Sequence, residues 1–172
     1  MSAEYSEDIL VQRTTAEKLH TLGWKPIFAY DEEDFGRDSL LGRTDNTEIL
    51  LKRSLYSALK HLNPGHPDSA YTDAIDRLEQ ASVTKTTRQH NQEKYKLIRD
   101  GISVKYTDER DSATHRYREH TETHRLRLID YDNPQNNEFL AVRELSIQGQ
   151  THQCRPDILG YVNGIPLGGE AY

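Results

Sequence analysis

Apolar residues recur at helical spacing through the front of the chain and then switch to alternation, which predicts helices first and a sheet after them. Residues 7–22 read as a helix with Ile9, Ala16 and Leu19 on one face and Gly23 as its stop. Trp24 to Tyr30 is a short apolar stretch, and DEEDFGRDSLLGRTDN after it is polar and rich in turn formers. Asp45 and Glu48 have the spacing of a capping box, which predicts a helix from there to Leu62 with Leu51, Leu55, Ala58, Leu59 and Leu62 on its buried face. Asn63-Pro64-Gly65 ends that run. After Pro67, Asp68 or Ser69 caps a helix carrying Tyr71, Ala74, Ile75 and Leu78, and a further helix covers Thr87 to Arg99 up to Gly101.

The period then falls to two. Ile102, Val104 and Tyr106 alternate as in a strand, Asp108 to His124 is polar and reads as a loop or exposed hairpin, and Leu126 and Leu128 begin the next strand. Asp130 to Asn137 is a turn, Phe139 to Ile147 a longer strand, and Gly149 another turn. Arg155 to Val162, Asn163-Gly164 and Ile165 onward form a β-hairpin, because Asn-Gly suits a two-residue turn in which both residues need positive φ. The expected fold is α/β (or α+β) with a mostly antiparallel sheet, and no repeat or low-complexity tract interrupts it.

Composition narrows the function. The 172 residues suffice for one domain of ordinary size, with 34% apolar and 29% charged residues. The formal net charge of −6 argues against tight autonomous DNA binding, which draws on a basic face. It leaves room for a metal-dependent nuclease, whose site is itself acidic. The single cysteine, Cys154, permits no internal disulfide and fits a reducing compartment. No apolar run approaches the roughly 20 residues of a membrane helix, and MSAEYSEDIL lacks the basic and apolar regions of a signal peptide. A cytoplasmic location without membrane contact is therefore expected.

The terminal hairpin holds the candidate chemistry. With Asn163-Gly164 as the turn, Val162 faces Ile165, and counting outward sets Asp157 opposite Glu170. Directly opposed residues stand about 5 Å apart at Cβ. Two such carboxylates either point into water, which spacing alone favours, or share a hard divalent cation such as Mg²⁺. Pro166 cannot donate to a ladder, and with Gly168 and Gly169 it threatens this register.

The run CRPDILGYVNGIPL ending in GEAY resembles the R-P-D…V-N-G-x-P…E-x-K core of the N-terminal nuclease domain of type I restriction R subunits, a branch of the PD-(D/E)XK nucleases. The stretches LVQRTTAEKLHTLGW, DSLLGRT, LNPGHPDSAY, NQEKYKLIRDGISV and NPQNNEFLAVREL are similar to the same front end, so the resemblance covers nearly the whole chain. It implies a restriction-endonuclease-like mixed central sheet flanked by helices over residues 1–172. It also implies Mg²⁺-dependent cleavage of double-stranded DNA, in a complex with modification and specificity subunits. By position Asp157 matches the metal-binding aspartate and Glu170 the second metal-binding acid. Glu7 is the best match for a first-helix acid and Glu17 the second, beside the plainer reading of solvated helix acids.

Two departures stand out. The family's lysine, two positions after the second acid, is Tyr172 here, a neutral side chain at pH 7. The family also has an apolar run such as L-V-V-I before an acid one residue further from the aspartate, where this chain has Leu167-Gly168-Gly169-Glu170. A frameshift or engineered truncation after Leu167 would produce such an ending, and the expectation is an incomplete domain that cuts nothing and at most docks on partner subunits. The absence of G-x-x-x-x-G-K-[ST] leaves this chain no ATP site of the kind the full-length subunit's motor carries.

Other clusters read more plainly. His115, His120 and His124 with Glu119 and Glu122 match no zinc spacing and read as a solvated loop. His152 and Cys154 alternate in a strand-like stretch without a metal pattern. Arg116, Arg118, Arg125 and Arg127 form the densest basic group and suit neutralising Glu119 and Glu122 better than binding phosphate. Trp24 and the tyrosines suit a core better than a base-stacking platform.

Overall fold

The computed structural model describes residues 4–29, 34–80, 87–107, 121–149 and 152–170; within these, residues 4–12, 87–90, 107, 121–122 and 168–170 are described by backbone alone. Helices and strands run α1 (Glu4–Thr21), β1 (Lys25–Phe28), α2 (Lys52–Leu62), α3 (Asp68–Gln80), α4 (Thr87–Asp100), β2 (Ile102–Thr107) and β3 (Thr121–Leu126). They continue as β4 (Phe139–Arg143), β5 (Ile147–Gln148), β6 (Gln153–Cys154), β7 (Ile158–Val162) and β8 (Ile165–Glu170). The α+β class expected from the residue pattern is the one observed. The chain divides into two compact units, residues 1–55 with 135–172, and residues 56–134.

The first unit is built on a four-stranded sheet in the order β1-β4-β7-β8. β1 runs parallel to β4, while β4, β7 and β8 are antiparallel to their neighbours, so the sheet is mixed. Ala29, Leu41, Leu51, Leu140, Val142, Leu145, Ile147, Leu159 and Tyr161 form its core, with Ile27 packed against them. α1 ends where Gly23 adopts φ +91°, as its glycine stop predicts.

Residues 44–48 make capping bonds without a helix. Glu48 Oε2 accepts from the Thr44 N–H at 2.6 Å, and Asp45 Oδ1 accepts from the Thr47 N–H at 2.8 Å. α2 starts only at Lys52, because the Leu51 N–H is committed to the carbonyl of Gly164 at 2.9 Å. Partial burial pushes the Glu48 carboxyl up. Its bonds from Thr44 and Lys52 outweigh that and hold it below the usual glutamate range. The buried Arg43 ties this loop down, donating to the carbonyls of Glu48 (3.0 Å) and Ser146 (2.9 Å).

The predicted long strand from Phe139 to Ile147 is broken. Glu144 takes φ +50°, which ends β4 at Arg143 and sends the chain into a short ribbon, β5 paired with β6. The strand expected from Arg155 likewise begins only at Ile158, after the ribbon returns.

In the second unit α2 ends as predicted, with Gly65 at φ +91° after Asn63-Pro64. The Asn63 amide pairs with the backbone of Arg127 in both directions at 2.8 Å. α3 buries Tyr71, Ala74, Ile75 and Leu78, the face read from the sequence, and Ala70 beside them. β2 and β3 pair from Ile102↔Leu126 to Thr107↔Thr121, so β3 starts earlier than Leu126 and ends there. Residues 108–120 lie outside the described residues.

Two substitutions test the packing. Gly164 has φ +78°, and a Cβ there would meet the Leu51 carbonyl and the Leu55 N–H, both backbone. Gly164→Ala is expected to cost about 2–4 kcal/mol of unfolding free energy in a urea titration, from strain and displacement of α2. Arg43→Met leaves the carbonyls of Glu48 and Ser146 without their donor, and about 3 kcal/mol is expected from the same measurement; an unchanged midpoint would show that Arg43 holds nothing.

Candidate functional site

Asp157 occupies the bend just before β7 and its side chain is exposed. The adjacent Pro156 is buried, which fixes the chain's entry into the strand. On the β4 side the antiparallel register ends at Arg143↔Ile158, and one step further the Glu144 N–H donates to the Asp157 carbonyl at 3.1 Å. Glu144 therefore stands directly across from Asp157. Its side chain is only 20% exposed, and Arg155 Nε lies 3.7 Å from its Oε2.

On the β8 side the turn is as predicted, with Val162 paired to Ile165 and Tyr161 to Pro166. The register then shifts, so that Gly160 pairs with Gly168, Leu159 with Gly169 and Ile158 with Glu170. Leu167 is the extra residue, a bulge immediately after the proline that cannot donate to the ladder. The expected Asp157–Glu170 pairing is thus displaced by one residue.

The side chains of Glu7 and Glu170 are not described; Glu7 lies in α1 and Glu170 closes β8. Tyr172 lies outside the described residues. Glu17 makes an exposed i,i+4 ion pair with Arg13 at 3.2 Å, in keeping with its plainer reading. Among the described residues no three His, Cys, Asp or Glu side chains converge as a metal cage. The exposed carboxylate of Asp157 is nevertheless a hard oxygen donor at the entry to β7. That donor chemistry fits Mg²⁺, which takes one or two carboxylates and keeps several waters, and does not suit a closed all-protein site.

His124 departs from the expected solvated loop. It lies in β3, half-buried, with its ring stacked on Tyr106 at 4.9 Å between centroids and 5.0 Å from His66. His115, His120, Glu119, Arg116 and Arg118 lie outside the described residues, and the Glu122 side chain is not described. Arg127 pairs with the buried Asp130 at 3.3 Å, and Arg125 is exposed. His152 and Cys154 are both exposed, and Cys154 is a free thiol. Trp24 is half-buried against Phe139, with ring centroids 5.2 Å apart, and Tyr71 and Tyr161 are buried. Tyr95 and Tyr131 are instead exposed, contrary to the core reading. No described helix is long and apolar enough to cross a membrane.

Glu144 is the residue that the sequence alone does not flag. Glutamate carries no turn signal, and its place across from Asp157 follows only once β4 is known to pair with β7.

Known proteins match this chain along almost its full length. The family model described as "Type I restriction enzyme R protein N terminus" matches residues 4–168. The "Type I restriction enzyme HindI endonuclease subunit" of Haemophilus influenzae is 30% identical over 158 residues, covering 91% of this chain and 14% of that protein. Two proteins of Methanocaldococcus jannaschii are also similar. The "Putative type I restriction enzyme MjaIXP endonuclease subunit" is 21% identical over 96% of this chain and 15% of its own length. The "Putative type I restriction enzyme MjaVIIIP endonuclease subunit" is 26% identical over 93% of this chain and 13% of its own length. No solved structure matches. The chain thus spans about 14% of the length of the first of these relatives, and with residues 4–168 matched it belongs to the type I restriction enzyme R protein N-terminal family.

Proposed function

We propose that this region is the DNA-cleaving part of a type I restriction enzyme R subunit, hydrolysing phosphodiesters of double-stranded DNA with Mg²⁺ in a complex with modification and specificity subunits. The observation that carries the reading is the family match over residues 4–168, within which Asp157 falls in the R-P-D run at an open strand end. Asp157 would hold the cation with an acid from β8, and the bound cation would polarise the phosphodiester and generate hydroxide from water. The buried Pro156 beside it and the ladder bond from Glu144 keep the Asp157 backbone at the end of β7. Site recognition would fall to the partner subunits, so a net charge of −6 is no obstacle to cutting by this one.

Tyr172 supports a second reading, in which this chain cuts nothing and serves at most as a docking module. A phenol lacks the positive charge that the family's lysine brings to the attacking water and the phosphate. Register adds to this. With Ile158 paired to Glu170, an acid one residue further on, as the family has it, would fall opposite Asp157.

The isolated chain is therefore expected to nick supercoiled DNA no faster than background in Mg²⁺, and robust metal-dependent nicking would overturn the inactive reading. Replacing Gly168-Gly169 by a three-residue apolar run, followed by acid-x-lysine, should create Mg²⁺ binding measurable by calorimetry. Failure of that restored chain to bind the ion would remove Asp157 from the site.

A further inference from the structure

Tyr95 and Tyr131 are exposed, belong to the second unit and serve neither its core nor the Asp157 end of the sheet. That unit is not acidic. Residues 56–134 hold 13 Lys and Arg against 13 Asp and Glu, so the formal charge of −6 lies wholly in the other unit. Net charge therefore sets no bar to phosphate contact there.

The two rings meet cations from separate stretches of the chain. On α4, Tyr95 and Arg99 are one turn apart, and the Arg99 guanidinium lies 5.6 Å from the centre of the Tyr95 ring. Tyr131, in the irregular stretch after β3, lies within electrostatic reach of both. Burial raises its phenol first and Tyr95 adds to this, while Arg99 opposes, so the hydroxyl stays a neutral donor. Arg125 of β3 runs along the end of α4, where a Cβ at Gly101 would come 3.1 Å from Arg125 Cγ. Lys96, Arg99 and Arg125 are all exposed.

The acid among these groups does not cancel them. Asp100 takes two bonds from Arg99, at 2.6 and 2.8 Å. Those bonds first of all hold its carboxyl below the usual aspartate range, and Arg125 and Lys96 add their attraction. One carboxylate thus faces three cations, and among the described residues Lys96 and Arg125 have no ion pair of their own. Asp132, next to Tyr131 in the chain, is also exposed. The surplus of positive charge is small, which suits weak and salt-sensitive contact.

We propose that Tyr95, Lys96, Arg99, Arg125 and Tyr131 form a contact surface for the sugar-phosphate backbone of double-stranded DNA. Their ammonium and guanidinium groups neutralise phosphates, and their phenols donate hydrogen bonds to phosphate oxygens. A duplex keeps its bases stacked inside, so this surface meets the backbone and holds any sequence alike. The inference rests on the reading that this region acts on double-stranded DNA, but it uses neither Asp157 nor a cation.

Binding of the complete chain to a short fluorescent duplex of arbitrary sequence is read by anisotropy at low salt. EDTA is present so that no cutting intervenes, and circular dichroism and thermal unfolding check folding. The parent chain is expected to bind with a Kd on the order of 10⁻⁵ M, weakening as salt rises. Lys96→Glu with Arg125→Glu is expected to weaken binding about tenfold and to lower the slope of log affinity on log salt by about two. Lys96→Gln with Arg125→Gln is expected to weaken it in the same direction, and it decides the matter if the reversal disturbs folding. Lys18→Glu with Arg37→Glu makes the same change of net charge at exposed positions of the first unit, and a much smaller effect is expected. Equal losses in the second-unit and first-unit variants overturn the surface. No duplex binding by the parent chain also overturns it, and makes a protein the better occupant. The nuclease reading is tested separately by Mg²⁺ binding to the chain with the restored β8 ending, so either can fail while the other holds.

Discussion

The hairpin turn at Asn163-Gly164 is buried, and the geometry of the first unit hangs on it. Turns usually lie at the surface because their backbone groups need water. Here the protein itself supplies partners to the turn. The Asn163 N–H donates to the Glu138 carbonyl at 2.9 Å, its Oδ1 accepts from the Glu138 N–H at 2.8 Å, and its Nδ2 donates to Asn137 at 2.9 Å. The Gly164 carbonyl accepts from Leu51, just ahead of α2. One dipeptide thereby sets the start of β4, the start of α2 and the origin of the β7–β8 register.

Register carries that constraint to the other end of the sheet. Side chains in a strand alternate with period two, so a slip of one residue exchanges faces. β7 leaves the turn in step with β8 for two pairs, and the bulge after Pro166 then shifts the step by one. The family spacing places its second acid one residue further from the aspartate than Glu170 is. That longer spacing is what a bulged hairpin needs to bring an acid across from Asp157, while the shorter spacing of this chain leaves Glu170 beside Ile158.

Much of this was legible in the residues, and what was not has physical causes. The faces of α2 and α3, the stops at Gly23 and Gly65 and the Asn-Gly turn all follow from local chemistry, which sequence carries directly. The bulge was only half visible. Pro166 announced a disturbed ladder, but its direction depends on how Leu167 is accommodated. The start of α2 is not legible locally, because Asp45 and Glu48 make genuine capping bonds while tertiary pairing at Leu51 decides where the helix begins. At His124 polarity does not mean exposure, because an imidazole stacked on Tyr106 is shielded on a ring face. The place of Glu144 across from Asp157 could not be foreseen, since it depends on β4 pairing with β7.

The two ends of the β4–β7 pair make the final contrast. Glu138 and Asn163 close one end, and Glu144 and Asp157 the other, each by backbone bonds that continue the same ladder. Each end also carries a non-glycine residue in the left-handed region, Asn163 at φ +53° and Glu144 at φ +50°. At Asn163 the conformation is inexpensive, because asparagine tolerates it and its amide both accepts from Glu138 and donates to Asn137. At Glu144 the same conformation costs about 1 kcal/mol or more, and the residue brings no local bond that glycine would lack at its backbone. What the side chain adds there is charge, since the Glu144 carboxylate lies 3.7 Å from Arg155 Nε and so ties the end of β4 to the chain returning from the β5–β6 ribbon.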